Sequence, residues 1–277
     1  MDRLAQFRDA HAKGRLLVLP NAWDAASARM AADAGAKAIA TSSAAVAWCH
    51  GYADGETMPR DVVMTATREV LRVVDLPVTV DSEAGYSDDP AKVADHVMGL
   101  IDLGVAGINL EDGTGEAGLL VAKIEAIKSA AKTKGSDIFI NARSDVYLAN
   151  LVPDDAKLAE IVRRGVLYRD AGANGFFAPA VTQIKDIREI VDAVDLPVNI
   201  LDARRAADRG DENRRRAPHQ HRRFDRESSV WKGRESDKSA AGRRQARCDL
   251  RNQRRLSRFQ QGVRIGRELK PRPSRTL

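Results

Sequence analysis

The feature that most limits the fold of this chain is an alternation that runs through the first 201 residues and then stops. Short apolar runs alternate with amphipathic segments. Residues 16–20, 38–43, 77–83, 107–112, 138–145, 175–179 and 197–201 read as strands. Helices are expected over 25–35, 59–74, 90–103, 119–134, 154–170 and 182–194. Their apolar residues recur at three- and four-residue spacing, as in Ile161, Val162, Val166 and Tyr168. Gly35, Gly104 and Gly172 close three of them. Strict β-α alternation implies a parallel sheet with right-handed crossovers. Two closures satisfy it, an open doubly wound sheet and an eight-stranded barrel. No GxGxxG or Walker-type loop follows the first strand, which counts against a nucleotide-binding open sheet. Polar residues recur at the C-terminal strand ends: Asn21, Ser42 and Ser43, Asp81 and Glu83, Glu111 and Asp112, Arg143 and Asp145. Barrels place their active sites there. The expected fold is α/β, a (β/α)8 TIM-type barrel. Only seven strands are legible, so the eighth βα unit is read as missing or replaced by the tail.

Charge divides the chain at the same point. Residues 202–277 carry 21 Arg and 3 Lys against 10 acids, a net of +14, whereas residues 1–201 have a net of −8. The expected organisation is a barrel domain over 1–201 and a basic tail over 202–277, disordered or out of frame. The tail has no apolar periodicity, and its sudden arginine enrichment suits a GC-rich gene read in a shifted frame. A basic extension that contacts nucleic-acid phosphates and a solvated helical tail are the alternatives. Nucleic acid ranks low, because Trp231, Phe224 and Phe259 are scattered and no recognition module is legible. Cys49 and Cys248 lie far apart without metal-ligand spacing, which fits a reducing compartment. No apolar run approaches the roughly 18 residues of a membrane span, so a cytoplasmic protein is expected.

The chemistry concentrates in Asp81-Ser-Glu-Ala-Gly-Tyr86. Side chains two apart on a strand share a face, so Asp81 and Glu83 point the same way, roughly 7 Å apart at about 3.3 Å per residue. That separation suits a hydrated cation, held directly by one carboxylate and through water by the other, as Mg²⁺ is held. Alternatively one acid caps the next helix or meets an arginine. Asp54 and Glu111 fall at neighbouring strand ends, and four clustered carboxylates need a cation or a proton. Arg143 would enter the same mouth and hold a substrate carboxylate or phosphonate, or else pair with Asp145 or Glu111. Ser42, Ser43 and Ala44 form a small-residue turn whose N–H groups can cradle an anion, or simply pack closely. His50 and Cys49 read as a surface pair. Together these residues describe a site for a small oxo-carboxylate whose enolate a cation would stabilise.

Thr41-Ser-Ser, Gly51-Tyr-Ala-Asp54, Asp81-Ser-Glu-Ala-Gly-Tyr86, Gly107-Ile-Asn-Leu-Glu-Asp112 and Ile140-Asn-Ala-Arg143 together resemble the isocitrate lyase/phosphoenolpyruvate mutase superfamily. The resemblance implies a barrel that binds Mg²⁺, with Mn²⁺ an alternative, and a small oxo-acid. It implies Asp81 as direct metal ligand, with Asp54, Glu83 and Glu111 as the water-mediated shell. Ser42, Ser43 and Ala44 become the carboxylate cradle, and Arg143 and Glu111 the catalytic pair. The activity implied is a carbon–carbon lyase. The alternatives are P–C chemistry of the mutase or phosphonopyruvate hydrolase kind, or an inactive truncated relative. The family often exchanges its last helix between subunits, so a homo-oligomer is expected where the C-terminus is intact. Lyases of isocitrate and methylisocitrate carry a Lys-Lys-Cys-Gly-His loop after strand four. Here Glu111-Asp-Gly-Thr-Gly-Glu-Ala fills that place, short and without cysteine, and Pro179-Ala180 stands where those lyases carry a glutamate.

Overall fold

The computed structural model describes residues 2–12 and 16–201. The tail, and with it the question of an eighth strand, lies outside the described residues. Seven parallel strands stand side by side in chain order: β1 (Asn21–Ala22), β2 (Ile39–Thr41), β3 (Val78–Asp81), β4 (Gly107–Glu111), β5 (Phe139–Arg143), β6 (Gly175–Phe177) and β7 (Val198–Asn199). A doubly wound sheet reverses its order at a switch point. Here the order never reverses, which is the winding of a (β/α) barrel. Among the described residues no ladder joins β7 back to β1, so the strands form a curled arc.

The connecting helices are α2 (Ala25–Asp33), α3 (Ser43–Cys49), α4 (Arg60–Val73), α5 (Pro90–Asp102), α6 (Ala117–Thr133), α7 (Lys157–Asp170) and α8 (Ile184–Val194). Their starts are written locally. Asp24 and Ser27 form a reciprocal capping box on α2. Asp89 caps α5, where Pro90 supplies a preset φ in the first turn. An additional helix, α1 (Arg3–Ala10), precedes the sheet and is capped by Asp2.

Strand register separates two faces. Ile39, Val78, Val80, Ile108, Leu110, Ile140 and Phe176 belong to the main core beneath the helices. The opposite face carries Thr79 with Gly107, then Asp81 with Asn109 and Asn141, then Glu111 with Arg143 and Phe177. Asn141 donates to Asn109 across this inner face at 2.9 Å. Phe7 of α1 fills the other end of the interior, edge-on to Phe139 at 5.2 Å between ring centres. Gly107 is required there, because a Cβ would lie 2.8 Å from the Phe7 ring.

Two expectations are corrected. The first strand is Asn21–Ala22, not residues 16–20, and Leu16 and Val18 are 92% and 71% exposed. The run does alternate, with Leu17 and Leu19 turned toward the Phe7 cluster. Its pairing with β2 begins only at the Pro20 carbonyl, which accepts from the Ala40 N–H. The 42–44 turn is in fact the start of α3, with Ser42 as N-cap.

Candidate active site

The C-terminal ends of β2 to β5 carry the site. After Asp81 the chain bends sharply: Glu83, Gly85 and Tyr86 all have positive φ, at 48°, 99° and 60°. Side chains rarely tolerate that region, so Glu83 and Tyr86 each cost on the order of 1 kcal/mol or more there, while glycine does not. Gly85 is required twice over, because a Cβ would also meet a Val93 methyl at 2.6 Å. The bend is held from several sides. The Gly85 N–H donates to the Ser82 carbonyl at 2.8 Å, and the buried Lys123 ammonium of α6 donates to the Ala84 carbonyl at 2.8 Å. The Glu111 N–H donates to the Glu83 carbonyl at 2.9 Å, which sets Glu83 beside Glu111.

The carboxylates differ in what satisfies them. Asp81 Oδ2 accepts from the Ser43 N–H at 3.1 Å and the Ser43 hydroxyl at 2.9 Å. Its Oδ1 is buried with no hydrogen-bond partner. Glu83 accepts from the Glu56 N–H and from the Tyr86 hydroxyl. Burial pushes its carboxyl up against those two opposing hydrogen bonds, and the charges of Asp54 and Asp81 add to the rise. Glu111 is pushed up to about 8, chiefly by burial; Arg143 opposes, while Asp81, Asp145 and Glu83 reinforce the shift. Asp54 is exposed on the loop between α3 and α4. Among the described residues no three His, Cys, Asp or Glu side chains converge as a cation cage. One buried, unpartnered carboxylate oxygen among negative neighbours nevertheless fits a cation held directly by Asp81 and through water by the others.

Arg143 is fully engaged. Its Nε and Nη2 grip both Asp145 oxygens at 2.7 and 2.9 Å, and Nη1 meets Glu111 at 2.6 Å. The guanidinium also lies 5.7 Å from the centre of the Phe177 ring. Both ion pairs considered from sequence therefore exist together. Ser42 turns its hydroxyl to the Ala45 N–H at 3.4 Å as the cap of α3, and Ser43 donates to the Asp81 carboxylate. Cys49 and His50 are exposed, as read. Sequence reasoning missed Glu56, whose carboxylate also accepts from the Tyr86 N–H. It also missed Asp112 as a buried centre of hydrogen bonding. The motif ending at Tyr86 pointed to that tyrosine, but nothing local pointed to Glu56.

Residues 7–212 match the family model described as phosphoenolpyruvate phosphomutase. The chain belongs to this family. An uncharacterized protein of Mycobacterium tuberculosis is 37% identical over 199 residues, covering 70% of this chain and 73% of the relative. The 2-methylisocitrate lyase of Escherichia coli is 30% identical over 204 residues, covering 69% and 67%. A crystal structure from Burkholderia cenocepacia, of a protein provisionally named a phosphonomutase, superposes with a TM-score of 0.68. It is 43% identical and covers 72% of this chain and 83% of its own. A phosphonopyruvate hydrolase in complex with oxalate and Mg²⁺, 19% identical at a TM-score of 0.63, shares the fold; the match covers 78% of this chain and 85% of its own. Among the described residues no helix is long and apolar enough to cross a membrane.

Proposed function

We propose that residues 1–201 form the catalytic domain of a Mg²⁺-dependent enzyme, with Mn²⁺ an alternative, that cleaves a carbon–carbon bond beside the carbonyl of a small 2-oxo carboxylate. The observation that carries this reading is the buried, unpartnered Asp81 Oδ1, within electrostatic reach of Glu83, Glu111 and Arg143. A cation held by Asp81, and through water by Asp54, Glu83 and Glu111, would offset the charge that develops on an enolate oxygen. The protein's own groups do the rest. Ser43 fixes the second Asp81 oxygen. Arg143 exchanges Glu111 for the substrate carboxylate, with Ser42, Ser43 and Ala44 at the start of α3 as a further anchor. Glu111, freed from Arg143, is the carboxyl beside the substrate that carries the proton.

Thermal unfolding with Mg²⁺ and oxalate tests the reading, since oxalate mimics the enolate. The parent should gain several degrees and Asp81→Ala none. An unmoved parent melting curve counts against it. P–C chemistry is the second reading, favoured by the family description and by a 113–116 loop without cysteine. Incubation with oxo-acids and with phosphonates separates the two by the product released. A chain that binds and turns over neither is an inactive relative.

A further inference from the structure

Glu111 and Asp112 are consecutive, so they leave β4 toward opposite faces. Glu111 faces the mouth. The Asp112 side chain, 0% exposed, lies beneath α7. It accepts from the Ser144 hydroxyl at 2.8 Å, the Asp145 N–H at 2.9 Å, Arg164 Nη1 at 2.9 Å and the Tyr168 hydroxyl at 2.6 Å. Its own N–H donates to the Arg143 carbonyl at 3.2 Å. One aspartate thus grips three consecutive residues, Arg143, Ser144 and Asp145. Arg164 extends the grip to the Gly115 carbonyl at 3.1 Å, on the loop that follows Glu111.

Stability alone does not account for this arrangement. Buried ion pairs are often no more stabilising than apolar residues of the same volume. What the arrangement does achieve is geometric. It fixes the backbone of Asp145, and Asp145 in turn holds the Nε–Nη2 edge of Arg143. Only Nη1, facing Glu111, is left to exchange partners.

We propose that Asp112, Arg164 and Tyr168 are positioning residues that fix Asp145 and, through it, one edge of Arg143, so that the other edge can trade Glu111 for a substrate carboxylate. The functional half of this statement rests on the reading of the mouth as an oxo-acid site. The geometric half does not.

The test is ¹⁵N NMR of the arginine Nε–H groups in the full chain, with the Arg143 signal assigned by its loss in Arg143→Lys. The parent should show an Arg143 Nε–H that exchanges slowly with water. Asp112→Asn should speed that exchange at least tenfold, and Tyr168→Phe, which keeps the core volume, several-fold. Ile190→Val in α8 serves as a destabilised control and should leave it within about twofold. A fast-exchanging Arg143 in the parent overturns the proposal. So does unchanged exchange in Tyr168→Phe, or equal acceleration in Ile190→Val. If Asp112→Asn fails to fold, Tyr168→Phe decides alone. Oxalate with Mg²⁺ is titrated into the same samples. A parent that does not bind oxalate counts against the enzymatic reading and leaves the Arg143 result standing.

Discussion

Two charged clusters in this protein are separated by a single peptide bond. The Asp112 cluster, one residue past Glu111, gives every buried oxygen and guanidinium edge a partner. The mouth cluster leaves Asp81 Oδ1 without one and pushes Glu111 far above the usual carboxylate range. On the proposed reading, the difference separates scaffold from site. A satisfied buried charge holds its surroundings, while an unsatisfied one marks where a ligand supplies what the chain does not.

The comparison would break most visibly at Asp112. Asp112→Ala leaves the Tyr168 hydroxyl buried without its acceptor and takes from Arg164 its buried carboxylate partner, and should cost about 3–5 kcal/mol in urea unfolding. A loss under about 1 kcal/mol would mean that the lower cluster holds nothing. His96 sharpens the other side. Its buried Nε2 has no partner, and burial first, then the Arg60 charge against Asp95, lowers its pKa to about 4. The folded protein therefore takes up this proton later than the unfolded chain. Stability should be intact above about pH 6.5 and fall by up to roughly 3 kcal/mol toward pH 4. His96→Gln should flatten that slope in denaturant titrations across the range. A slope unchanged by the substitution would clear His96 of the effect.

Next in size is the cation. At a hundredfold excess over its dissociation constant, Mg²⁺ should add about 2.7 kcal/mol to the parent and nothing to Asp81→Asn. Equal gains in both chains would place the ion elsewhere. The smallest effect is expected at Tyr86. Tyr86→Phe removes one hydrogen bond to Glu83 and should cost about 1 kcal/mol by chemical denaturation. A loss above about 3 kcal/mol would make the Glu83 bend part of the scaffold.

The sequence was informative where chemistry is local. β3 to β6 fall inside the runs read from apolar patterning, and Asp81, Glu111 and Arg143 each end a strand as read, whereas Glu83 lies past β3 in the positive-φ bend and not on the strand face expected for it. It was least informative where a partner lies far along the chain. Arg164 and Tyr168 reach Asp112 across 52 and 56 residues, a pairing that no spacing rule encodes. α3 was hidden because 43–47 is small and nearly featureless, so its Ser42 cap read as an anion-binding turn. The run 16–20 misled for the opposite reason: it has a strand's alternation but lies below the ladder, where Leu17 and Leu19 find the Phe7 cluster.

That Phe7 cluster has a consequence for anyone who trims or tags the protein. A single aromatic ring from the first helix rests on a glycine of β4 and a phenylalanine of β5, at the end opposite the carboxylates. Removing residues 2–12 would uncover that end of the curled sheet. Water would then reach the inner polar face from below, and the amide pair of Asn109 and Asn141 would exchange protein partners for solvent.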